Sequence, residues 1–486
     1  MATPLDLNQL LCDAADEATE AHARHGNLAF VELLEATGNR VDCIRGSGPY
    51  LWERSGRRIL DCMAGYGAIA IGRGHPIVTD ALRQCLDGAS ATWVRWELAP
   101  LVGRAAKELA KATDGKARRV FFTNSGTEAM EAAIKYARRA TGRHGLLAWE
   151  GAFHGLTCGA LSLNGSAELR EGFGPLLPGA ALVPFGDLDA LERALARREI
   201  AAMFVEPIQG KTLRTLEQGQ LREVQRLCAL AGTLLVADEV QTGCGRTGSF
   251  LACQNDGVDP DIVLLSKALS GGAVPVGAML MTDEVADAVH PSLDRAIIHS
   301  STFHEGQLAM VAVLATLKVI HEDGLVQRSA RLGTLLRHRC ERTCAGHPAF
   351  GGFLGRGLMV GIRVDVDRVP SLSALPWVGP AIRPLIGQAL VNTLLRRHGV
   401  LAQVTGAHSP VLKLLPPMVI DERDIDHLAP ALERSIGALQ DGSLADALGR
   451  ALGSMPAHAL RRAAQVISAS YLPSVDRPDN LASSDW

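Results

Sequence analysis

The stretch Asp261-Ile262-Val263-Leu264-Leu265-Ser266-Lys267-Ala268-Leu269-Ser270-Gly271-Gly272 decides the fold. An apolar, strand-like run ends on one lysine and breaks into small residues and glycines. A second apolar run, Thr233-Leu234-Leu235-Val236-Ala237, ends on Asp238 and Glu239. Two strands that each finish in an ionisable group place a site at the carboxyl edge of a parallel sheet. A lysine desolvated there becomes a nucleophilic amine able to form a Schiff base with a carbonyl.

Working outward, strands and helices alternate from about Leu101 to Leu280. Strands are expected at Arg119–Thr123, Gly145–Trp149, Ala201–Val205, Leu234–Asp238, Ile262–Ser266 and Gly277–Met281. Helical patterns between them imply an α/β layer with a mainly parallel sheet. Upstream, Asp13 to Leu34 reads as helix broken near Gly26-Asn27, and Tyr50 to Asp61 as a hairpin turning at Ser55-Gly56. Gly65, Gly67, Gly72 and Gly74 form a glycine-rich loop without the strand–helix frame of a dinucleotide fingerprint. A helical region from Val311 to about Cys344 leads to strand-like runs at Leu358–Val364 and Val411–Leu415.

At 486 residues the chain exceeds one hydrophobic core. Four parts are expected: an N-terminal segment (1–90) packing with the small domain, a large cofactor-binding domain (91–330), a small α+β domain (331–445), and a helix with a polar tail (446–486).

The strand Val120-Phe121-Phe122 runs into Thr123-Asn124-Ser125-Gly126-Thr127 and then a helix. Glu128, three residues after Ser125, suggests a capping box. Glycine allows a tight turn whose amides point outward, and the helix start adds partial positive charge, so Ser125, Gly126 and Thr127 make a phosphate cradle. Phe153-His154-Gly155 follows a strand, where an aromatic can stack on a flat heterocycle. Thr302 lies in a polar stretch where its hydroxyl could reach a phosphate. A lysine, a carboxylate able to keep a pyridine nitrogen protonated, and a phosphate cradle together point to pyridoxal 5'-phosphate (PLP).

Composition narrows the alternatives. A formal net charge of −3 gives no basic footprint for nucleic acid. No apolar run approaches the roughly 20 residues that span a bilayer. Met1 to Leu11 carries no basic residue, unlike a secretory signal, and the ten cysteines lack Cys-x-x-Cys spacing, so a reducing cytoplasm is expected. Cys340, Cys344 and His347 lack an evident fourth ligand, and no metal is expected.

In combination these segments resemble the class III aminotransferases, PLP enzymes of fold type I. The matching residues are Ser125-Gly126-Thr127-Glu128-Ala129, Phe153-His154-Gly155, Glu206-Pro207-Ile208-Gln209-Gly210 and Asp238-Glu239-Val240-Gln241-Thr242-Gly243. Gly245-Arg246-Thr247-Gly248, Ser266-Lys267-Ala268-Leu269 and Thr302-Phe303 complete the set, over roughly Phe30 to Gln440. Phe173-Gly174-Pro175-Leu176-Leu177-Pro178-Gly179 looks most like the putrescine branch, near ornithine aminotransferases. The resemblance implies that Lys267 carries the cofactor and shuttles protons, and that Asp238 pairs with its ring nitrogen. It likewise implies that Gln241 bonds the phenolic oxygen, Phe153 stacks on the ring and Glu206 supports the site. His154 falls within the same cofactor-binding segment. It further implies a homodimer in which Thr302 serves the neighbouring subunit's phosphate.

Departures bear on substrate. Relatives that bind a 2-oxo acid usually carry arginine where this chain has Lys413, and often a swinging glutamate where it has Lys211. Arginine grips a carboxylate with two parallel hydrogen bonds, whereas lysine offers a mobile point charge. The usual Gly-Gly-Asn-Pro after Thr-Phe is His304-Glu305-Gly306-Gln307 here. Tyr66 and the Trp93-Val94-Arg95-Trp96 stretch are expected at the pocket mouth, with dimer-interface packing as the alternative for the tryptophans and arginine. The expected activity is transfer of an amino group from a terminal primary amine to a 2-oxo acid or aldehyde. The alternative is a lyase acting on a phosphorylated amine.

Overall fold

The structure is a computed structural model that describes residues 5–38, 40–88, 97–369, 383–405 and 410–439. Trp93, the 446–486 segment and its expected helix at 458–467 lie outside the described residues.

The chain opens with helices Leu7–His25 and Leu28–Thr37, separated where Gly26-Asn27 was expected to break them, with Asn27 capping the second. Strands β1 (Cys43–Ser47), β2 (Tyr50–Glu53) and β3 (Arg58–Asp61) follow, and β2 and β3 form the expected hairpin. The central strands are β4 (Arg119–Thr123), β5 (Gly145–Trp149), β6 (Ala180–Val183), β7 (Ile200–Val205), β8 (Leu234–Asp238), β9 (Ile262–Leu265) and β10 (Gly277–Met281). They form one seven-stranded sheet in the order β4-β10-β9-β8-β7-β5-β6. Only β10 runs against its neighbours; the other pairings are parallel.

Alternation along these strands explains why both faces are covered. Leu147, Met203, Val205, Leu235, Val263 and Leu265 enter one buried cluster, while Leu146, Ala202, Phe204, Val236, Ile262 and Leu264 enter another. Helix Gly126–Thr141 lies on the second face and buries Met130, Ala133, Ile134 and Ala137, the stripe read from the sequence.

After the helices Gln307–Glu322 and Leu325–Cys344, strands β11 (Phe350–Arg356) and β12 (Met359–Val364) begin a second sheet. Strands β13 (Val400–Leu401), β14 (Gln403–Thr405) and β15 (Val411–Leu414) complete the set. The second sheet is antiparallel, in the order β11-β12-β15-β14. Strand β13 instead pairs parallel with β3 and so joins the N-terminal hairpin. Backbone bonds from Leu415 N to Cys62 O (2.6 Å) and from Met418 N to Ala70 O (2.7 Å) fasten the segment after β15 to the glycine-rich loop. Among the described residues no helix is long and apolar enough to cross a membrane.

Candidate active site

The site forms where β4, β5, β7, β8 and β9 end. Asp238 pairs in register with Leu264, so Lys267 lies three residues beyond that level on the adjacent strand. Val205 pairs with Ala237, which sets Glu206 beside Asp238. Register alone therefore brings one amine and two carboxylates to one sheet edge.

Lys267 starts a short 3₁₀ turn with φ 45°, a left-handed conformation that non-glycine residues seldom adopt and that clusters at functional sites. Its amine forms no hydrogen bond or salt bridge with any described residue. Burial pulls its pKa below the usual lysine range, while the charges of Asp238 and Glu206 pull it back.

Asp238 is buried, and its Oδ2 lies 2.8 Å from Nδ1 of the equally buried His154. Its Oδ1 accepts from the Val240 amide at 3.1 Å. Burial alone would lower the His154 pKa, yet the Asp238 hydrogen bond and charge, with Glu206 behind, leave it raised. Glu206 Oε1 accepts from the Phe153 amide at 2.8 Å and Oε2 from the Gly210 amide at 2.6 Å. Burial lifts its pKa to about 6, opposed by His154 and reinforced by Asp238.

The Ser125-Gly126-Thr127 turn opens a capped helix, with one change from the expected capping box. Ser125 caps the helix by accepting from the Glu128 amide at 3.2 Å. Glu128 Oε2 reaches back to the Asn124 amide at 2.8 Å, one residue beyond a standard capping box. The amides of Gly126 and Thr127 have no acceptor among the described residues. Gly126 is needed for contact rather than for backbone freedom, since a Cβ there would lie 2.9 Å from Val240 Cγ1 and 3.3 Å from Ser266 Cβ. The Thr127 hydroxyl, expected to face a phosphate, shares a hydrogen bond of 2.7 Å with Thr157. Asn124 Nδ2 donates to Ser301 Oγ at 3.0 Å, which anchors the stretch holding the exposed Thr302 beside the cradle.

Gln241 bridges two segments. Its Nε2 donates to Tyr66 O at 3.0 Å, and its Oε1 accepts from Lys413 Nζ at 2.7 Å. Tyr66 has φ 57° and an exposed side chain. Lys413 is 2% exposed and also donates to Gly210 O. Its expected mobility is therefore absent, because two acceptors hold it. Burial, with Lys267 adding to it, lowers its pKa to about 7. Lys211 is half-buried, and its carbonyl accepts from the Thr405 hydroxyl. The His154–Asp238 pair and the Lys413–Gln241 link lie 84 and 172 residues apart in sequence. No local signal reveals such contacts.

These features fit PLP. Two helix-start amides stand without acceptors for a phosphate, a buried carboxylate stands for a pyridinium, and an unbonded lysine amine stands for the aldehyde carbon. Buried His154 Nε2 also has no partner.

A family profile described as Aminotransferase class-III matches residues 35–436. Aminotransferase PigE of a Serratia species is 35% identical over 451 residues, which cover 86% of this chain and 53% of that protein. This chain thus spans about half the length of that relative. The acetylornithine aminotransferase of Methanopyrus kandleri is 40% identical over 328 residues, 67% of this chain and 82% of its own. The ornithine aminotransferase structure from Toxoplasma gondii ME49 has a TM-score of 0.77 at 28% identity, covering 90% of this chain and 100% of that one. The (S)-enantioselective omega-transaminase of Thermomicrobium roseum gives 0.76 at 28% identity, with the same coverage. The chain belongs to the class-III aminotransferases, PLP-dependent enzymes of fold type I.

Proposed function

We propose that this chain moves the amino group of a terminal primary amine to a 2-oxo acid or aldehyde. The observation that carries the reading is an unbonded lysine amine, Lys267, beside a histidine-held carboxylate, Asp238, at adjacent strand ends. PLP, when bound, supplies an electron sink for negative charge developing on the donor carbon. Lys267 Nζ would hold the cofactor and, when free, would serve as the base that takes a proton from the donor carbon. Burial lowers its pKa below the usual lysine range, which favours the neutral, basic form of the amine. The Asp238 carboxylate, held by His154, would pair with the ring nitrogen. Phe153 would stack on the ring, and the Ser125–Thr127 amides would hold the phosphate. Gln241 Nε2, which donates one N–H to Tyr66 O, would offer its second N–H to the phenolic oxygen. The donor leaves as a carbonyl and the acceptor as an amine, so atoms and electrons balance between the two.

The terminal-amine preference is supported by the names of similar proteins, an ornithine aminotransferase and an omega-transaminase, and by lysine at 211 and 413. The lyase alternative finds no such support among these relatives. We take the working unit as a homodimer, in which Thr302 of the partner subunit completes the phosphate site.

Borohydride reduction of the holoenzyme followed by peptide mapping tests the reading. The expected outcome is a reduced pyridoxyl adduct on Lys267, absent in Lys267→Ala, with loss of the cofactor's visible absorbance when an amine donor is added. A different labelled lysine, or no spectral response to a broad amine panel, would overturn it.

A further inference from the structure

Glu206, Gly210, Lys413, Gln241 and Tyr66 form one continuous chain of hydrogen bonds. An ammonium has three N–H donors. Two of those on Lys413 end on neutral oxygens of the protein, Gly210 O and Gln241 Oε1. Both acceptors are themselves tied: the Gly210 amide donates to Glu206, and the Gln241 amide donates to Tyr66 O. Turning either acceptor away from Lys413 would strain the bond its own residue donates, to Glu206 or to Tyr66 O. A carboxylate approaching Lys413 would also meet the carboxylate of Glu206, a like charge in a buried setting.

The other described cations near this wall are no better placed. Arg246 has unpartnered Nε and Nη2 among the described residues, but it is only 1% exposed, and its Nη1 donates to Pro416 O and Leu358 O. Lys211 is partly buried, and its charge is opposed by burial and favoured by that of Glu168.

We infer that Lys413 seals this wall against carboxylates, so that the site takes an amine and a carbonyl partner with no carboxylate on the reacting carbon. The acceptor is then a neutral aldehyde or ketone rather than a 2-oxo acid. This rests on the aminotransferase reading above and narrows its substrate class. The lowered pKa of Lys413 agrees with it, since near pH 7 much of the charge needed to pair a carboxylate is absent.

The test uses matched pairs that differ only by a carboxylate: 1-aminobutane against 2-aminopentanoate as donor, and butanal against 2-oxopentanoate as acceptor. Half-reactions of the holoenzyme and of its aminated form are followed by absorbance. The neutral member of each pair is expected to have the higher kcat/KM, by about tenfold or more, the loss that goes with an unpaired charge at a closed site. Lys413→Arg supplies a two-pronged donor and is expected to shift that ratio about tenfold toward the carboxylate member. Lys413→Gln, which keeps a donor but no charge, is expected to change both members by a similar factor. It decides the matter if the arginine variant misfolds. Wild-type preference for 2-oxopentanoate, or selective loss of the carboxylate member in Lys413→Gln, would refute the inference while leaving transamination intact. Silence toward all four compounds would instead remove the activity reading and this inference together.

Discussion

His154 Nδ1 and Asp238 Oδ2 lie 2.8 Å apart with both side chains buried. The contact joins the loop after β5 to the end of β8, so the carboxylate proposed to serve the cofactor is oriented by a residue from another strand. Replacing Asp238 with asparagine removes the charge and keeps the shape. The amino-transfer rate is expected to fall by about 10²–10³-fold, the scale of losing one preorganised electrostatic group. Stopped-flow measurement of the amine half-reaction checks this. A loss under threefold would show that the carboxylate charge is dispensable.

Glu206 gives a signed pH prediction. Its folded pKa is raised from 4.5 to about 6, with burial the main cause. A group with a raised folded pKa contributes stability that is present below its unfolded value and is lost as pH rises through the folded one. Wild-type stability should therefore decline relative to Glu206→Gln between about pH 4.5 and 6, the two values that bound the shift. Denaturant melts at closely spaced pH values check this. Parallel profiles for the two proteins would contradict it.

Gly155 has φ 121°, and a Cβ there would lie 2.7 Å from Thr127 Cβ and 3.2 Å from its Cα. Gly155→Ala is expected to cost about 1–3 kcal/mol of stability from the backbone conformation alone. Pushing Thr127 outward should also weaken cofactor retention, read as PLP release during dialysis. Unchanged melting together with unchanged PLP content would show that the loop accommodates the methyl group.

The parts that were legible in the sequence are contiguous. Strands β4, β5, β8 and β10 fall on their expected residues, and the Ser125–Thr127 cradle is built from one uninterrupted turn. Strand β6 carries little sequence signal, because it is a short edge strand on which only Val183 is buried. Strand β11 was hidden by Gly351, Gly352 and Gly355, which carry no β-branched signature. The exchange of a mobile Lys413 for an anchored one had no local sign, since its acceptor on Gly210 lies 203 residues away.

Lys413 carries the last prediction, on stability rather than turnover. Burial lowers its folded pKa from 10.5 to about 7, so the folded protein disfavours its charged form. A lowered lysine pKa means that the unfolded chain binds more protons between those two values. Stability then rises with pH across that window and is lost as pH falls toward 7. Lys413→Met removes the titration and keeps most of the side-chain length. The difference in unfolding free energy between wild type and Lys413→Met should therefore move in favour of the wild type from about pH 7 to pH 10, within the window set by the shift. Urea melts of both proteins at each pH read that difference directly, with the other titrating groups common to both. A flat difference across the window would mean that Lys413 keeps its proton throughout, with Gly210 O and Gln241 Oε1 compensating fully for the water it has lost.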